Sequence, residues 1–136
     1  MGKKQILNLL YWVIFALIAF YFAYSKGWVL ADFESITPQQ AKRMLEKDEN
    51  VFLLDVRSED EFKKESIDGA TLIPLQILSK NLSALDGVKN KKIIVYCHSG
   101  NRSVAASRIL VKNGFVPLNL KGGITQWKND GFTVLY

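Results

Sequence analysis

The single cysteine of this chain, Cys97, lies in the segment Val95-Tyr96-Cys97-His98-Ser99-Gly100-Asn101-Arg102-Ser103, between a short apolar run and a helical stretch. One cysteine forms no intrachain disulfide and, alone, no structural zinc site, so it is either a nucleophile or small apolar filler. Its surroundings favour the nucleophile. Gly100 permits the positive φ at which successive backbone N–H groups converge on one point. A helix beginning near Arg102 adds unpaired N–H groups and the positive end of its dipole, which together suit an anion. The same surroundings favour a thiolate. A free thiol, with a pKa of about 8.5, is only slightly ionised at neutral pH, and helix N-termini lower that value. Arg102 adds positive charge, as does His98 when protonated. The expectation is a thiolate held where an anion would bind, with no separate general base required.

Such a loop needs a sheet to carry it. Ile93-Ile94-Val95-Tyr96 reads as a buried strand that ends at Cys97, and a helix is expected from about Arg102 to Asn113, capped by Gly114 in the left-handed conformation. In an open α/β sheet, ligands bind beyond the carboxyl ends of the strands, which is where this cysteine falls. Upstream, Thr37-Pro38 signals a helix start, with the helix running to about Lys47 and burying Ala41, Met44 and Leu45. Val51 to Leu54 reads as a strand covered on both faces. Ser58 is a plausible N-cap, with Glu59, Asp60 and Glu61 in the first turn. A turn over 66–70 leads to a strand near Thr71 to Ile73, and Leu75 to Leu85 looks helical. Val116 to Leu120 is a further strand, and Gly122-Gly123 opens a last helix carrying Trp127. Trp127 and Phe132 read as core. The alternation of strands and helices predicts a parallel sheet covered on both faces.

Several motifs in order carry a resemblance: Leu54-Asp55-Val56-Arg57, Glu61-Phe62, Ile67-Asp68-Gly69-Ala70, Ile73-Pro74, the Cys97 loop and Gly122-Gly123-Ile124-Thr125-Gln126-Trp127. Over residues 34–132 the chain resembles the rhodanese homology domain. The resemblance implies a three-layer α/β fold with a mainly parallel sheet of about five strands. It also implies a sulfurtransferase in which Cys97 takes sulfane sulfur from a donor such as thiosulfate or a persulfide. The sulfur then passes from the persulfide to cyanide, a thiol or a protein acceptor, without metal or cofactor. By position, the backbone of His98 to Arg102 and the Arg102 side chain would cradle the anion, and Asp55 and Arg57 would be a supporting pair. Cysteine-dependent phosphatases place five residues between Cys and Arg, whereas four, His98 to Asn101, intervene here. The tighter loop favours a terminal sulfur over a phosphoryl or arsenate group. A non-catalytic binding or sulfur-delivery module is the other alternative, and retention of Cys97 counts against it. Two positions depart from the family pattern: Glu65-Ser66 stands where Gly-His is frequent, and His98 where arginine or lysine is frequent. Less fixed charge at position 98 would weaken thiosulfate binding and favour another donor.

The remaining signal is N-terminal. Ile6 to Tyr24 is a run of 19 uncharged residues, which at ~1.5 Å per residue approaches the ~30 Å hydrocarbon core of a bilayer. Its length and its aromatic rings (Tyr11, Trp12, Phe15, Phe20, Tyr21, Phe22) favour an uncleaved anchor over a signal peptide, and the lack of a polar face argues against a core helix. Residues 1–30 are therefore expected to be an anchor with its flanks, meeting lipid through residues 6–24, and residues 31–136 one α/β domain. Trp28 would sit at headgroup level. Of the net charge of +5, the first thirty residues supply +3 from Lys3, Lys4 and Lys26. The rest is nearly balanced, and no basic stripe interleaved with aromatics marks a nucleic-acid surface. Two lysines before the span against Lys26 just after it favour the outer side for the domain by a margin of one lysine, whereas counting Lys42 and Arg43 reverses the balance.

Overall fold

Strand β4 (Lys92–Tyr96) shows how the chain builds its sheet. Ile93 and Val95 pack with Cys97 on one face, and Ile94 and Tyr96 pack on the other. A period of two with both faces buried leaves no polar alternation, hence the unbroken apolar run. The computed structural model describes residues 1–47 and 50–136 and divides into two units, Met1–Ala31 and Asp32–Tyr136.

In the second unit, β1 (Glu34–Ile36), β2 (Val51–Asp55), β3 (Thr71–Leu72), β4 and β5 (Val116–Leu120) form one sheet in the order β1-β5-β4-β2-β3. Every pairing is parallel. Helices α4 (Leu75–Leu78) and α5 (Asn101–Lys112) supply Leu75, Leu78, Ala106 and Leu110 to the face holding Ile93 and Val95. Helices α2 (Pro38–Lys47) and α6 (Gly123–Asn129) supply Ala41, Met44, Leu45, Ile124 and Trp127 to the other, with Phe132 packed on Trp127. Connections that step toward the β1 edge carry α4 and α5, and the step from β1 to β2, the opposite way, carries α2. A single hand of crossover demands this division. The chain leaves β4 toward β5, and leaves its neighbour β2 toward β3. The crevice beyond the paired ends of β2 and β4, where Asp55 lies opposite Tyr96, is therefore the topological switch point.

Local signals set most boundaries. Thr37 caps α2: its Oγ1 accepts from the Gln40 N–H, and its own N–H donates to Gln40 Oε1 at 2.8 Å. Ser58 and Glu61 do the same for α3 (Glu59–Lys64). At the end of α5, Gly114 has φ +84°, and the N–H groups of Gly114 and Phe115 donate to Val111 and Leu110 carbonyls. Both Leu110 and Phe115 are buried, completing the Schellman arrangement. The stretch read as one helix over 75–85 is instead α4 followed by a 3₁₀ helix over Leu82–Val88. Asn81 explains the break, since its side-chain amide donates to the Ile77 carbonyl at 2.8 Å and competes with the next helical turn.

The first unit carries α1 (Lys3–Ser25), a 23-residue helix with no buried residue. It is long and apolar enough to cross a membrane.

Candidate active site

Cys97 follows the last residue of β4, and its side chain is only 1% exposed. Its sulfur accepts the Gly100 N–H at 3.0 Å and lies 3.4 Å from Ser103 Oγ. Ser103 has one hydroxyl proton, which it donates to Asn119 Oδ1 at 2.6 Å. Its lone pairs are therefore turned to the thiol, which donates to it. Asn119 in turn donates through Nδ2 to Ser35 Oγ at 3.2 Å. Ser103 and Asn119 are both buried, so the bonds from the thiol through Ser103 to Asn119 are shielded from water.

The loop holds its shape from two sides. Gly100 adopts φ +112° as the N-cap of α5, a conformation that side chains rarely take. From the other side, the first N–H groups of α6 grip the loop: Ile124 N–H donates to the Cys97 carbonyl at 2.9 Å, and Thr125 N–H to the His98 carbonyl at 3.1 Å. Helix-start amides need acceptors, and here the acceptors are loop carbonyls. Across a trans peptide the N–H points opposite to the C=O, so fixing these carbonyls also fixes the His98 and Ser99 amides, which face away from α6. Gly123 allows the close approach, because a Cβ there would stand 2.4 Å from the Cys97 carbonyl oxygen.

The expected cradle residues separate into two groups. Gly100 is buried against the sulfur, whereas His98, Ser99 and Asn101 are exposed at the mouth. The His98 ring lies beside Thr125, with Nε2 to Oγ1 at 3.4 Å. The Arg102 guanidinium forms a bidentate pair with Glu61, at 2.6 and 2.8 Å, from across the crevice. Arg102 holds the Glu61 carboxyl down at about 2, below its ordinary 4.5. A carboxylate depressed in the folded state contributes stability above its unfolded value, and that stability is lost as pH falls through the folded one. Both side chains are about one third exposed, so the effect is small, under about 1 kcal/mol. The stability gap between the native protein and Glu61→Gln, measured by urea unfolding, should be full above pH 4.5 and disappear as pH nears 2.

A sequence profile for the rhodanese-like domain matches residues 37–130. The chain belongs to the rhodanese-like family. YrkF of Bacillus subtilis is 36% identical over 93 residues, which is 68% of this chain but 49% of YrkF, so the chain spans about half of that relative. A sulfurtransferase of Allochromatium vinosum is 30% identical over 101 residues, covering 74% of this chain and 92% of that protein. The crystal structure of a rhodanese-related protein from Thermoplasma volcanium aligns with a TM-score of 0.69 at 30% identity, over 76% of this chain and 98% of that one. These likenesses set the chain among sulfurtransferases and sulfur carriers.

Within this rhodanese-like domain, Asp55 and Arg57 are buried and bound to each other, with Arg57 Nη2 at 2.7 Å from Asp55 Oδ2 and 2.6 Å from the Glu65 carbonyl. Burial opposes the Arg57 charge, but the Asp55 carboxylate outweighs it and raises the pKa above the ordinary value. The pair also meets the strand that leads to the thiol, with the Arg57 guanidinium 5.5 Å from the centre of the Tyr96 ring. Arg57, Glu61, Lys64, Glu65, His98 and Arg102 line a cleft of about 280 Å³ at the loop's mouth. A larger cleft of about 380 Å³ beside α2, lined by Arg43, Met44 and Lys47 among others, includes no part of the cysteine loop.

Sequence reading passed over Ser103, Asn119 and the close approach at Gly123. Ser103 was within reach of a helical argument, since it lies in the first turn of the helix that follows the thiol. Nothing in the sequence alone brings Asn119 to it.

Proposed function

We propose that the chain is a membrane-anchored sulfurtransferase in which Cys97 carries sulfane sulfur as a persulfide. The observation that carries this reading is the Gly100 amide directed at the thiol sulfur at 3.0 Å in the loop between β4 and α5. A donated N–H stabilises sulfur that bears negative charge, in the attacking thiolate and again in the persulfide. Thiolate attack on the terminal sulfur of a donor forms the Cys97 S–S bond. The donor bond breaks, and the leaving group, sulfite from thiosulfate or a thiolate from a persulfide, departs with the electron pair. Attack by cyanide or a thiol on the outer sulfur then restores Cys97. The Ser103 hydroxyl accepts a hydrogen bond from the thiol, whose proton passes to solvent when the thiolate forms. The hydroxyl can then turn from Asn119 to donate to sulfur.

Helix α1 supports the anchor, since 23 residues at ~1.5 Å each span a hydrocarbon core with some tilt. The lysine balance favours an outer location for the domain. A four-residue interval between Cys97 and Arg102 suits a terminal sulfur better than a phosphoryl group.

Double-displacement kinetics test the reading. Initial rates with donor and acceptor varied together should give parallel double-reciprocal lines, because the donor leaves before the acceptor binds. Intersecting lines, or hydrolysis of an aryl phosphate in place of sulfur transfer, would remove it.

A further inference from the structure

The charges around the cleft carry an inference about the donor, and it rests on the sulfur-transfer reading above. Arg57 is matched by Asp55, Arg102 by Glu61, and Lys128, just outside the cleft, by Glu65 at 2.6 Å. Among the described residues, Lys64 is the lysine or arginine of this cleft with no carboxylate within ion-pair distance. The guanidinium nearest in sequence to the thiol loop therefore has both of its outer nitrogens engaged by one carboxylate.

We propose that Glu61 is a specificity-determining residue, holding Arg102 away from incoming anions so that the site prefers a low-charge persulfide over dianionic thiosulfate. The chemistry differs between the two donors. With a persulfide, Cys97–S⁻ + R–S–SH gives Cys97–S–SH + R–S⁻, so the donor arrives neutral at its sulfur and one thiolate leaves. With thiosulfate, Cys97–S⁻ + S–SO₃²⁻ gives Cys97–S–S⁻ + SO₃²⁻, so a dianion must approach a thiolate and a dianion must leave. Sulfane sulfur keeps its oxidation level in both. Bidentate guanidinium geometry suits the sulfonate oxygens of the second reaction better than the single ammonium of Lys64 does. Glu61 occupies that fork. The cost of displacing it falls on thiosulfate binding and spares a donor that has no use for the cation.

Glu61→Gln removes the competing charge and keeps an oxygen acceptor for the Ser58 N–H, so the cap of α3 survives. The experiment measures kcat and KM of the full chain with thiosulfate and with cysteine persulfide generated in situ. In Glu61→Gln the thiosulfate-to-persulfide ratio of kcat/KM should rise about tenfold, the size of a charged hydrogen bond gained, mostly through a lower KM for thiosulfate. Adding Arg102→Gln to that variant should cancel the gain. The native protein, independently of any variant, should favour cysteine persulfide. An unchanged ratio, or a native preference for thiosulfate, overturns the role of Glu61 while leaving Cys97 as sulfur carrier. Failure of both donors overturns both.

Discussion

Cys97→Ser should lower the sulfur-transfer rate by ~10³-fold or more, as loss of a nucleophile does where the remaining groups only bind and orient. A serine hydroxyl is held in the same place, beside the Gly100 amide and Ser103, yet it stays protonated at neutral pH and forms no stable bond to sulfane sulfur. The substitution is nearly isosteric. Cys97 is 1% exposed in a well-packed cluster with Val95 and Ala106, and the replacement hydroxyl finds both a donor and an acceptor there, so folding should be little affected. Thermal unfolding within a few degrees of the native protein, beside a lost rate, would locate the defect in chemistry. A variant retaining more than about a tenth of the rate would mean that sulfur travels by another group.

Gly123→Ala should be the most damaging methyl group that can be added near the site. Its Cβ would lie 2.4 Å from the Cys97 oxygen and 2.6 and 2.7 Å from the His98 oxygen and carbon. These are backbone atoms, which cannot swing aside. The residue also has φ +60°, where a side chain costs on the order of 1 kcal/mol. Relief requires α6 to retreat from the loop, which breaks the hydrogen bonds from Ile124 and Thr125, each worth about 1 kcal/mol. A total of about 3 kcal/mol follows, or a fall in Tm on the order of 10–20 °C. The cysteine loop loses its clamp at the same time, so kcat should fall more than stability alone requires. Gly69→Ala is the control: φ there is +84°, but nothing lies within 4 Å of the new Cβ. It should cost only the backbone strain and leave the rate alone. Equal effects from the two would mean that the contact between α6 and the loop is unimportant.

The parts of the fold legible in the sequence are those specified by local chemistry. Val116 to Leu120, the apolar run of β4, the Thr37-Pro38 start and the Gly114 stop each carry their own signal, and each element stands where that signal put it. Strand β1 carries none. Glu34-Ser35-Ile36 holds one buried residue and exists because the edge of β5 pairs with it. The break near Asn81 was likewise obscured, since Leu78 and Leu85 are both buried and keep a helical rhythm across it.

The site divides along the same line. Cys97 and Gly100 were legible because a strand exit, a glycine and a helix start are consecutive in the chain. The Glu61–Arg102 pair spans 41 positions and the Ser103–Asn119 bond 16. Both depend on which strands are neighbours in the sheet, and composition says nothing about that. Arg102 was expected to face an anion, and it is engaged by a carboxylate from α3 instead. With Arg57 paired to Asp55 and Arg102 to Glu61, the mouth of this site is more nearly neutral than the chain's pI of 9.3 suggests.

Sulfur transfer by this chain requires its one thiol to hold an extra sulfur atom. Intact-mass measurement of the full-length protein after exposure to a sulfane donor, followed by peptide mapping, addresses it directly. A gain of one sulfur should appear on the peptide containing Cys97, be removed by a thiol acceptor and be missing in Cys97→Ser. An unchanged mass with thiosulfate and persulfide donors alike, from a folded protein whose thiol still reacts with an alkylating agent, would contradict it.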